Sequence, residues 1–196
     1  MTTLNRLCVY AGSNVGANPA YAAAARALGT ELASRGVGLV YGGGRVGLMG
    51  EIADAVMSGG GEAIGVIPEA LFDRELGHRG LTELRVVASM HERKALMAEL
   101  ADGFVALPGG IGTLEELVEV MTWSQLGIHA KPCGVVDAAG FYAGLRGLLD
   151  HMVTEGFLHE RTRAGLVADA EPGPLLDRLA RWEPPNVHKW LDLERS

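Results

Sequence analysis

The sequence predicts an α/β fold in which helices cover both faces of a parallel sheet, a doubly wound arrangement made by a single domain. Short apolar runs typical of buried strands alternate with stretches whose apolar residues recur at helical spacing. Glycine-rich turns follow several of these runs, and no linker or repeat divides the 196 residues. Repeated strand–helix units of this length give parallel strands in one sheet with crossover helices on its two faces.

In the first half of the chain, strands are predicted at residues 7–11, 38–41, 63–67 and 84–87. Asn18 and Pro19 are typical of a helix cap and first turn, and apolar residues at helical spacing continue to Gly36. Further helices are predicted after a glycine turn, ending at Met57, and over about 91–100. The polar segment 69–82 lacks clear periodicity, so we expect a loop over the edge where the strands end.

In the second half, strands are predicted at residues 104–107 and 133–136, with a helix between them and another over about 142–155. The C-terminal part shows no clear strand or helix pattern, and the segment from about residue 183 is left without an assigned element. The whole chain, residues 1–196, is therefore predicted to form one Rossmann-like domain that binds its ligand at the carboxyl ends of the strands.

The composition indicates a soluble protein that does not bind nucleic acid. The net charge is −7 and the pI is near 5.4, whereas nucleic-acid-binding surfaces are normally basic. Cys8 and Cys133 lie in apolar strand-like runs, which predicts buried thiols. The N-terminal residues lack the apolar stretch of a signal peptide, and no segment approaches the roughly 20 apolar residues of a membrane span. We expect a cytoplasmic protein with no membrane partner.

Residues 108–116, with the sequence PGGIGTLEE, are the most informative segment. A buried strand that turns through glycines into a helix exposes backbone N–H groups, and these together with the helix dipole can bind a phosphate. No Lys-Ser or Lys-Thr follows, which excludes the P-loop of nucleotide hydrolases. Glu115 and Glu116 are placed by the sequence in the first helical turn. The dipole favours acids there, but two carboxylates beside an anion site also suggest that one of them does chemistry.

Three glycine turns are predicted at the same edge of the sheet, at residues 12–16, 42–50 and 109–112. Gly42, Gly44 and Gly47 fit the pattern GxGxxG, but they follow the second strand and no acidic residue ends the next strand at the expected place. An intact dinucleotide such as NAD is thus the less favoured ligand. A mononucleotide shared among the turns fits better, which makes Ser13, Gly43 and Gly44 candidate contacts.

The segment MHERKA places Arg93 and Lys94 near a helix start that follows a strand. Basic residues at a helix start interact unfavourably with the helix dipole, so we expect an anionic ligand to compensate their charge. A solvated charged patch is the alternative. The zinc motif HExxH is absent because position 95 is alanine, and the other histidines show no ligand spacing. No GxSxG occurs, so acyl transfer has no support. We expect neither a metal nor an organic cofactor.

The segments AGS, YGGGRVGLMG, MHERK and PGGIGTLEE, in this order and spacing, resemble the Lonely Guy family. Members of that family are cytokinin riboside 5′-monophosphate phosphoribohydrolases, part of a larger group often labelled lysine decarboxylases. The resemblance covers residues 7–149 and includes TWSQLGIHAKPCGV. It implies that Arg93 and Glu116 are catalytic. The substrate contacts implied by the resemblance and the glycine turns are Ser13, Gly43, Gly44, Glu75, Arg93, Lys94, Gly110, Ile111, Gly112, Thr113, Leu114, Glu115, Glu116 and Thr122.

The resemblance predicts hydrolysis of the N-glycosidic bond of an N6-substituted AMP, which releases a free base and ribose 5-phosphate. A carrier or sensor that binds a nucleotide without turnover is the alternative from another class. A pyridoxal-phosphate lysine decarboxylase needs a Schiff-base lysine, and the chain has only Lys94, Lys131 and Lys189. This size of domain also leaves little room for that cofactor's usual architecture.

Helical spacing also predicts how the chain assembles. If Leu114, Val118 and Met121 face the sheet, Val120 and Trp123 face away from it. A helix that is apolar on two sides needs cover on both, so we expect a homodimer with each site close to the partner subunit. Cover by residues 182–193 of the same chain is the alternative.

Overall fold

The computed structural model describes residues 4–72, 77–78 and 80–184, and it contains the predicted alternation of strands and helices. The strands are β1 (Arg6–Tyr10), β2 (Gly38–Tyr41), β3 (Ala63–Pro68), β4 (Glu83–Val87), β5 (Gly103–Ala106), β6 (Cys133–Val136) and β7 (Leu166–Asp169). The helices are α1 (Pro19–Ser34), α2 (Gly47–Ser58), α3 (Glu69–Phe72), α4 (Met90–Leu100), α5 (Ile111–Gln125), α6 (Ala143–Thr154), α7 (Glu160–Ala164) and α8 (Pro172–Ala180).

The strands form one sheet in the order β4-β3-β2-β1-β5-β6-β7, and each of these pairings is parallel. From β1 the chain winds outward to β4, then returns to β5 on the other side of β1 and winds to β7. The doubly wound parallel sheet predicted from the sequence is therefore confirmed. The winding direction reverses between β1 and β5, which is where ligands of such sheets bind.

Alternate residues of the central strands divide between two cores, one on each face of the sheet. In β1, Leu7 and Val9 pack with α1, α2 and α8, whereas Cys8 and Tyr10 pack with α4, α5 and α6. Cys8 and Cys133 are free thiols and are buried, as the sequence predicts. Burial raises the pKa of Cys133 to about 12 and that of Cys8 still higher, so both are protonated and unreactive at neutral pH.

Two segments of the chain differ from the sequence-based expectation. The segment predicted as a loop at 69–82 begins with the short helix α3, and its Gly77 pairs with Gly44 across an antiparallel bridge. The C-terminal part contains α7, the edge strand β7 and α8, none of which the pattern had assigned. Edge strand β7 is only four residues long, and half of it is buried, so its apolar signal is weak.

The predicted orientation of α5 is wrong. Leu117 and Val120 face the sheet and are fully buried, whereas Val118 is 43% exposed. Trp123 is half-buried and packs against the same core as Val120. Because α5 carries apolar residues around most of its circumference, helical spacing alone could not select the side that faces the sheet. Trp182 lines a small cavity together with Met121, but residues 185–196 lie outside the described part, so cover by that segment is untested.

Candidate functional site

A cavity of about 280 Å³ opens at the carboxyl ends of β1 and β5, where the sheet reverses its winding. Its walls combine backbone of the first, second and third glycine turns with side chains of α4 and α5. The turns contact one another directly: the N–H of Gly12 donates to the carbonyl of Pro108 (3.1 Å), and the N–H of Leu48 donates to the carbonyl of Gly12 (2.9 Å). The predicted convergence of three glycine turns on one edge is confirmed.

The start of α5 forms one wall of this cavity. Gly110 occupies the N-cap position and has no side chain with which to cap the helix. The N–H groups of the first turn are therefore free of the usual side-chain partner and, with the dipole, favour an anion. Gly110, Gly112 and the buried Thr113 all line the cavity. This arrangement can bind a phosphate through backbone amides and one hydroxyl.

The approach of the turns depends on glycine at position 109. A Cβ built on Gly109 would overlap the side chain of Thr113 and come within 2.9 Å of the backbone nitrogen of Gly12. A side chain here would separate the third turn from the first or displace Thr113. Position 109 thus fixes both the contact between turns and the placement of a candidate phosphate contact.

Arg93 lies deep in the cavity and is only 6% exposed, so the alternative of a solvated charged patch is wrong. Its Nη2 donates to the carbonyl of Gly42 at 3.4 Å, and its Nη1 lies 3.5 Å from Sδ of Met90. Within the described residues, Nε of Arg93 is buried without a hydrogen-bond partner. A buried guanidinium with long contacts and an unused donor suits an anionic ligand or a developing negative charge.

Glu116 faces Arg93 across the same cavity. Its Oε1 lies 4.0 Å from Nη2 of Arg93, and its side chain is 14% exposed. The sequence-based placement of Glu115 and Glu116 in the first helical turn is wrong, because α5 begins at Ile111 and both residues lie in its second turn. The dipole effect falls off within the first turn. The helix dipole therefore does not explain why a carboxylate stands at position 116, beside the cavity.

Lys94 is not among the residues that line the cavity, although its neighbour Arg93 is. Its Nζ lies 2.7 Å from Oε1 of Glu115 and 3.0 Å from Oε1 of Glu119. The hydrogen bond that its ammonium donates to Glu115 is the main cause of a raised pKa for Lys94. Lys94 is the fifth residue of α4, so it lies in the second turn and not at the helix start as the sequence had suggested. Its charge is compensated by carboxylates of the protein and not by a ligand.

The remaining predicted contacts are placed at different distances from the cavity. Ser13 lines it, whereas Gly43 and Gly44 are buried and do not line it. The carbonyl of Gly43 accepts from the N–H of His78 (2.9 Å). Thr122 donates its hydroxyl to the carbonyl of Val118 (2.8 Å) and lies about 13 Å beyond Thr113 along α5, at roughly 1.5 Å per residue. The side chain of Ile111 is exposed, Leu114 is half-buried, and Glu75 lies outside the described residues.

A family model described as a possible lysine decarboxylase matches residues 49–179. The cytokinin riboside 5′-monophosphate phosphoribohydrolase LOG7 of Arabidopsis thaliana is 49% identical over 179 residues, which cover 91% of this chain and 82% of that protein. The enzyme of the same description, LOG, of Oryza sativa subsp. japonica is also 49% identical, over 91% of this chain and 74% of its own. The chain belongs to the Lonely Guy family.

Solved structures outside the close relatives of this Lonely Guy protein share its fold. The molybdenum cofactor carrier protein of Chlamydomonas reinhardtii superimposes with a TM-score of 0.68 at 17% identity, covering 91% of this chain and 98% of that one. The molybdenum cofactor binding protein of Rippkaea orientalis gives 0.66 at 20% identity, over 90% and 96% of the two chains. At these identities the likeness shows the fold alone.

Sequence reasoning missed several residues that line the cavity of this Lonely Guy protein. They are Tyr10, Met49, Met90 and Met97, together with the backbone of Gly42. Tyr10 ends β1 beside the first glycine turn, so its place in the chain could have identified it. Burial raises its pKa well above the usual value, which keeps a neutral phenol at the cavity wall. The three methionines could not be recognised from the sequence as cavity residues, because apolar residues at helical spacing usually belong to a core.

Two further properties concern only the described residues. No group of three histidine, cysteine, aspartate or glutamate side chains lies close enough together there to hold a metal ion. In the same part of the chain, no helix is both long enough and apolar enough to cross a membrane.

Proposed function

We propose that this protein hydrolyses the N-glycosidic bond of an N6-substituted adenosine 5′-monophosphate, releasing the free cytokinin base, or adenine from AMP itself, and ribose 5-phosphate. The observation that carries the proposal is the pairing of buried Arg93 with Glu116, 4.0 Å apart, beside the uncapped start of α5. The relatives whose names state this activity are 49% identical over 91% of the chain.

The 5′-phosphate binds at the start of α5, where first-turn amides and Thr113 offer hydrogen bonds. This remote contact aligns the ribose, since binding energy from a non-reacting group can be used for orientation at the reacting centre. Met49, Met90 and Met97 give the cavity a deformable apolar wall suited to a flat purine.

Glu116 acts at the ribose. As the C1′–N9 bond breaks, positive charge develops on C1′ and O4′ of the sugar, and a carboxylate stabilises it and orients the attacking water, as in glycoside hydrolysis generally. The water supplies the hydroxyl that bonds to C1′, and its proton balances the charge on the departing base. No group other than water is consumed.

Arg93 stabilises either the negative charge that builds up on the departing purine or the existing charge of the substrate phosphate. Its guanidinium is permanently charged and already desolvated, so its interaction with a developing anion is stronger than in water. The unused Nε donor and the long Nη contacts leave it able to tighten on a ligand.

Two other functions have less support. Decarboxylation through a lysine Schiff base needs an amine of lowered pKa, yet the pKa of Lys94 is raised and Nζ of Lys131 donates to the carbonyl of Ala98 (2.7 Å). Lys189 lies outside the described residues. The molybdenum cofactor carrier protein of Chlamydomonas reinhardtii has the same fold, so a nucleotide carrier is the second alternative, but a carboxylate beside a phosphate site would weaken simple binding.

The test is incubation of the purified protein with AMP and, separately, with N6-isopentenyl-AMP, followed by chromatography for adenine or the free cytokinin. We expect free base and ribose 5-phosphate in equal amounts. Binding of either nucleotide without release of base would contradict the hydrolase and support the carrier.

A homodimer formed around α5 is also proposed. Ile111, Leu114 and Val118 recur at helical spacing on the side of α5 that includes exposed positions, and Ile111, which is 82% exposed, lies between the cavity-lining residues Gly110 and Gly112. A second copy covering these apolar residues would lie beside the site. Light scattering at micromolar concentration should give a dimer, and Val118→Lys should shift it to monomer. A monomeric wild-type protein would contradict the proposal.

The composition supports the remaining predictions about partners, which concern nucleic acid and the substrate. The net charge of −7 disfavours a nucleic acid, and we propose that the protein acts in the cytoplasm on a soluble nucleoside 5′-monophosphate.

A further inference from the structure

Neighbouring residues of α4 and α5 form two parallel pairs. Arg93 faces Glu116 inside the cavity at 4.0 Å, and the next residue along α4, Lys94, bonds Glu115, which precedes Glu116 on α5, at 2.7 Å. Glu119, one turn further along α5, accepts from the same ammonium at 3.0 Å. The ion pairs of Lys94 therefore join the two helices directly beside the pair that is proposed to do chemistry.

The environment of Lys94 fits a link between helices better than a ligand contact. Its side chain is 11% exposed, and the residues that line the cavity include Arg93, Glu115 and Glu116 but not Lys94. Turning the ammonium towards a phosphate would break two short charge-assisted bonds. It would also leave Glu115 and Glu119 unneutralised at i,i+4 spacing, where like charges repel.

Removal of this link would alter the catalytic pair in a defined way. Lys94, next to Arg93 on α4, holds Glu115, next to Glu116 on α5. The distance between Arg93 and Glu116 therefore depends on the ion pair of Lys94 with Glu115. A shift of the order of 1 Å in such a pair can reduce turnover by about a hundredfold. The phosphate contacts at Gly110, Gly112 and Thr113 lie at the start of α5 and involve neither charge of the link.

We propose that Lys94 is a positioning residue that fixes the separation of Arg93 and Glu116 through Glu115 and Glu119, and that it does not contact the substrate phosphate. This inference rests on the proposed hydrolysis. It assigns the dipeptide Arg93-Lys94 two separate tasks, one in the cavity and one between helices.

The first experiment compares Lys94→Met and Lys94→Arg with the wild type, using N6-isopentenyl-AMP and its riboside as substrates. For Lys94→Met we expect kcat on the nucleotide to fall about ten- to hundredfold, KM to stay within about threefold, and the preference for nucleotide over riboside to be kept. Lys94→Arg offers both carboxylates a donor and should recover most of kcat. A large rise in KM with loss of the nucleotide preference would overturn the proposal, as would unchanged kinetics.

The second experiment moves the cation to the other helix. Lys94→Glu should lose turnover, and adding Glu119→Lys should recover part of it, because the new ammonium can pair with the acids at positions 94 and 115. A phosphate contact at position 94 could not be restored in this way, so absence of recovery in a folded double variant would contradict the link. This variant also covers the case in which Lys94→Met does not fold.

Arg26→Met is the matched control. Arg26 and Glu51 form an ion pair of 2.7 Å between α1 and α2, away from the cavity. The control should change thermal stability slightly and leave kcat and KM unchanged. If the wild type releases no base, the proposed function fails; if the wild type is active and only Lys94→Met removes the nucleotide preference, the positioning role alone fails.

Discussion

Helices α1 and α5 follow neighbouring strands of the sheet but begin in opposite ways. The first helical N–H groups of α1 are capped by the chain itself: Oδ1 of Asn18 accepts from the N–H of Ala20 (3.0 Å), and Pro19 occupies the first turn. The start of α5 has Gly110 at the cap and opens on the cavity. The start of α1 is capped by its own sequence, whereas the start of α5, which is proposed to bind a phosphate, has no side-chain cap.

The length of the connection also separates the two helices. Strand β1 ends at Tyr10 and α1 begins at Pro19, while β5 ends at Ala106 and α5 begins at Ile111. The short turn places the start of α5 directly at the strand ends, and Glu116 follows within two helical turns. The longer first turn instead folds over the edge, where Gly12 contacts Pro108.

The largest expected effect concerns the carboxylate of Glu116 on α5. Glu116→Gln keeps the size of the side chain but removes the charge that is proposed to stabilise the ribosyl cation. We expect kcat to fall by about two to four orders of magnitude while substrate binding largely survives. Steady-state kinetics and calorimetric binding check this, with circular dichroism as the folding control. Near-normal turnover would remove Glu116 from the mechanism.

The second prediction tests whether the free amides of α5 bind a phosphate. N6-substituted AMP should be cleaved at least about a hundredfold more efficiently than its riboside, equal to about 2.7 kcal/mol, because the riboside lacks the anchor that aligns the ribose. One enzyme preparation and chromatographic detection of the base suffice. Equal rates would mean that the start of α5 holds no phosphate.

The third prediction compares two glycines of the same turn. Gly109→Ala should lower the free energy of unfolding by about 1–3 kcal/mol, since the new methyl group overlaps Thr113 and crowds Gly12. A Cβ at position 112 would meet open space, and Gly112 lies within α5, so Gly112→Ala should leave stability unchanged or raise it by up to about 1 kcal/mol. Urea unfolding measures both, and equal destabilisation would contradict the packing argument.

The fourth prediction converts the start of α5 into one that resembles α1. Gly110 has an extended backbone, and a Cβ built on it meets no atom within 4 Å, so Gly110→Asp is sterically possible. Its carboxylate would cap the helix and occupy the phosphate position. We expect stability to rise by only about 0.3 kcal/mol, since glycine is itself a fair N-cap residue, and KM for the nucleotide to rise at least about tenfold. Unchanged KM would place the phosphate elsewhere.

The smallest effect is expected at the capped helix. Asn18→Ala removes the hydrogen bond to the N–H of Ala20 and should lower stability by about 1 kcal/mol. Asn18 lies outside the cavity lining, so kcat and KM should not change. A kinetic effect as large as the stability effect would mean that the first turn transmits strain to the site.

Much of the fold could be predicted because its signals are local. Strand β2 at Gly38–Tyr41 and strand β6 at Cys133–Val136 have the predicted bounds, since short apolar runs between turns define them. Arg93 and Glu116 were selected from motifs, and the sheet brings them to the same cavity. Strand β7 was not predicted because a four-residue edge strand carries little periodic signal.

The sequence by itself determined the alternation of strands and helices, the glycine turns at one edge, and the family. Tertiary structure decided which side of α5 faces the sheet, which glycines line the cavity, and what Lys94 contacts. The reason is physical: periodicity reports on residues within a few positions of one another. The contacts of Lys94 with Glu115 and of His78 with Gly43 join separate elements, and only the packing of those elements brings their atoms together.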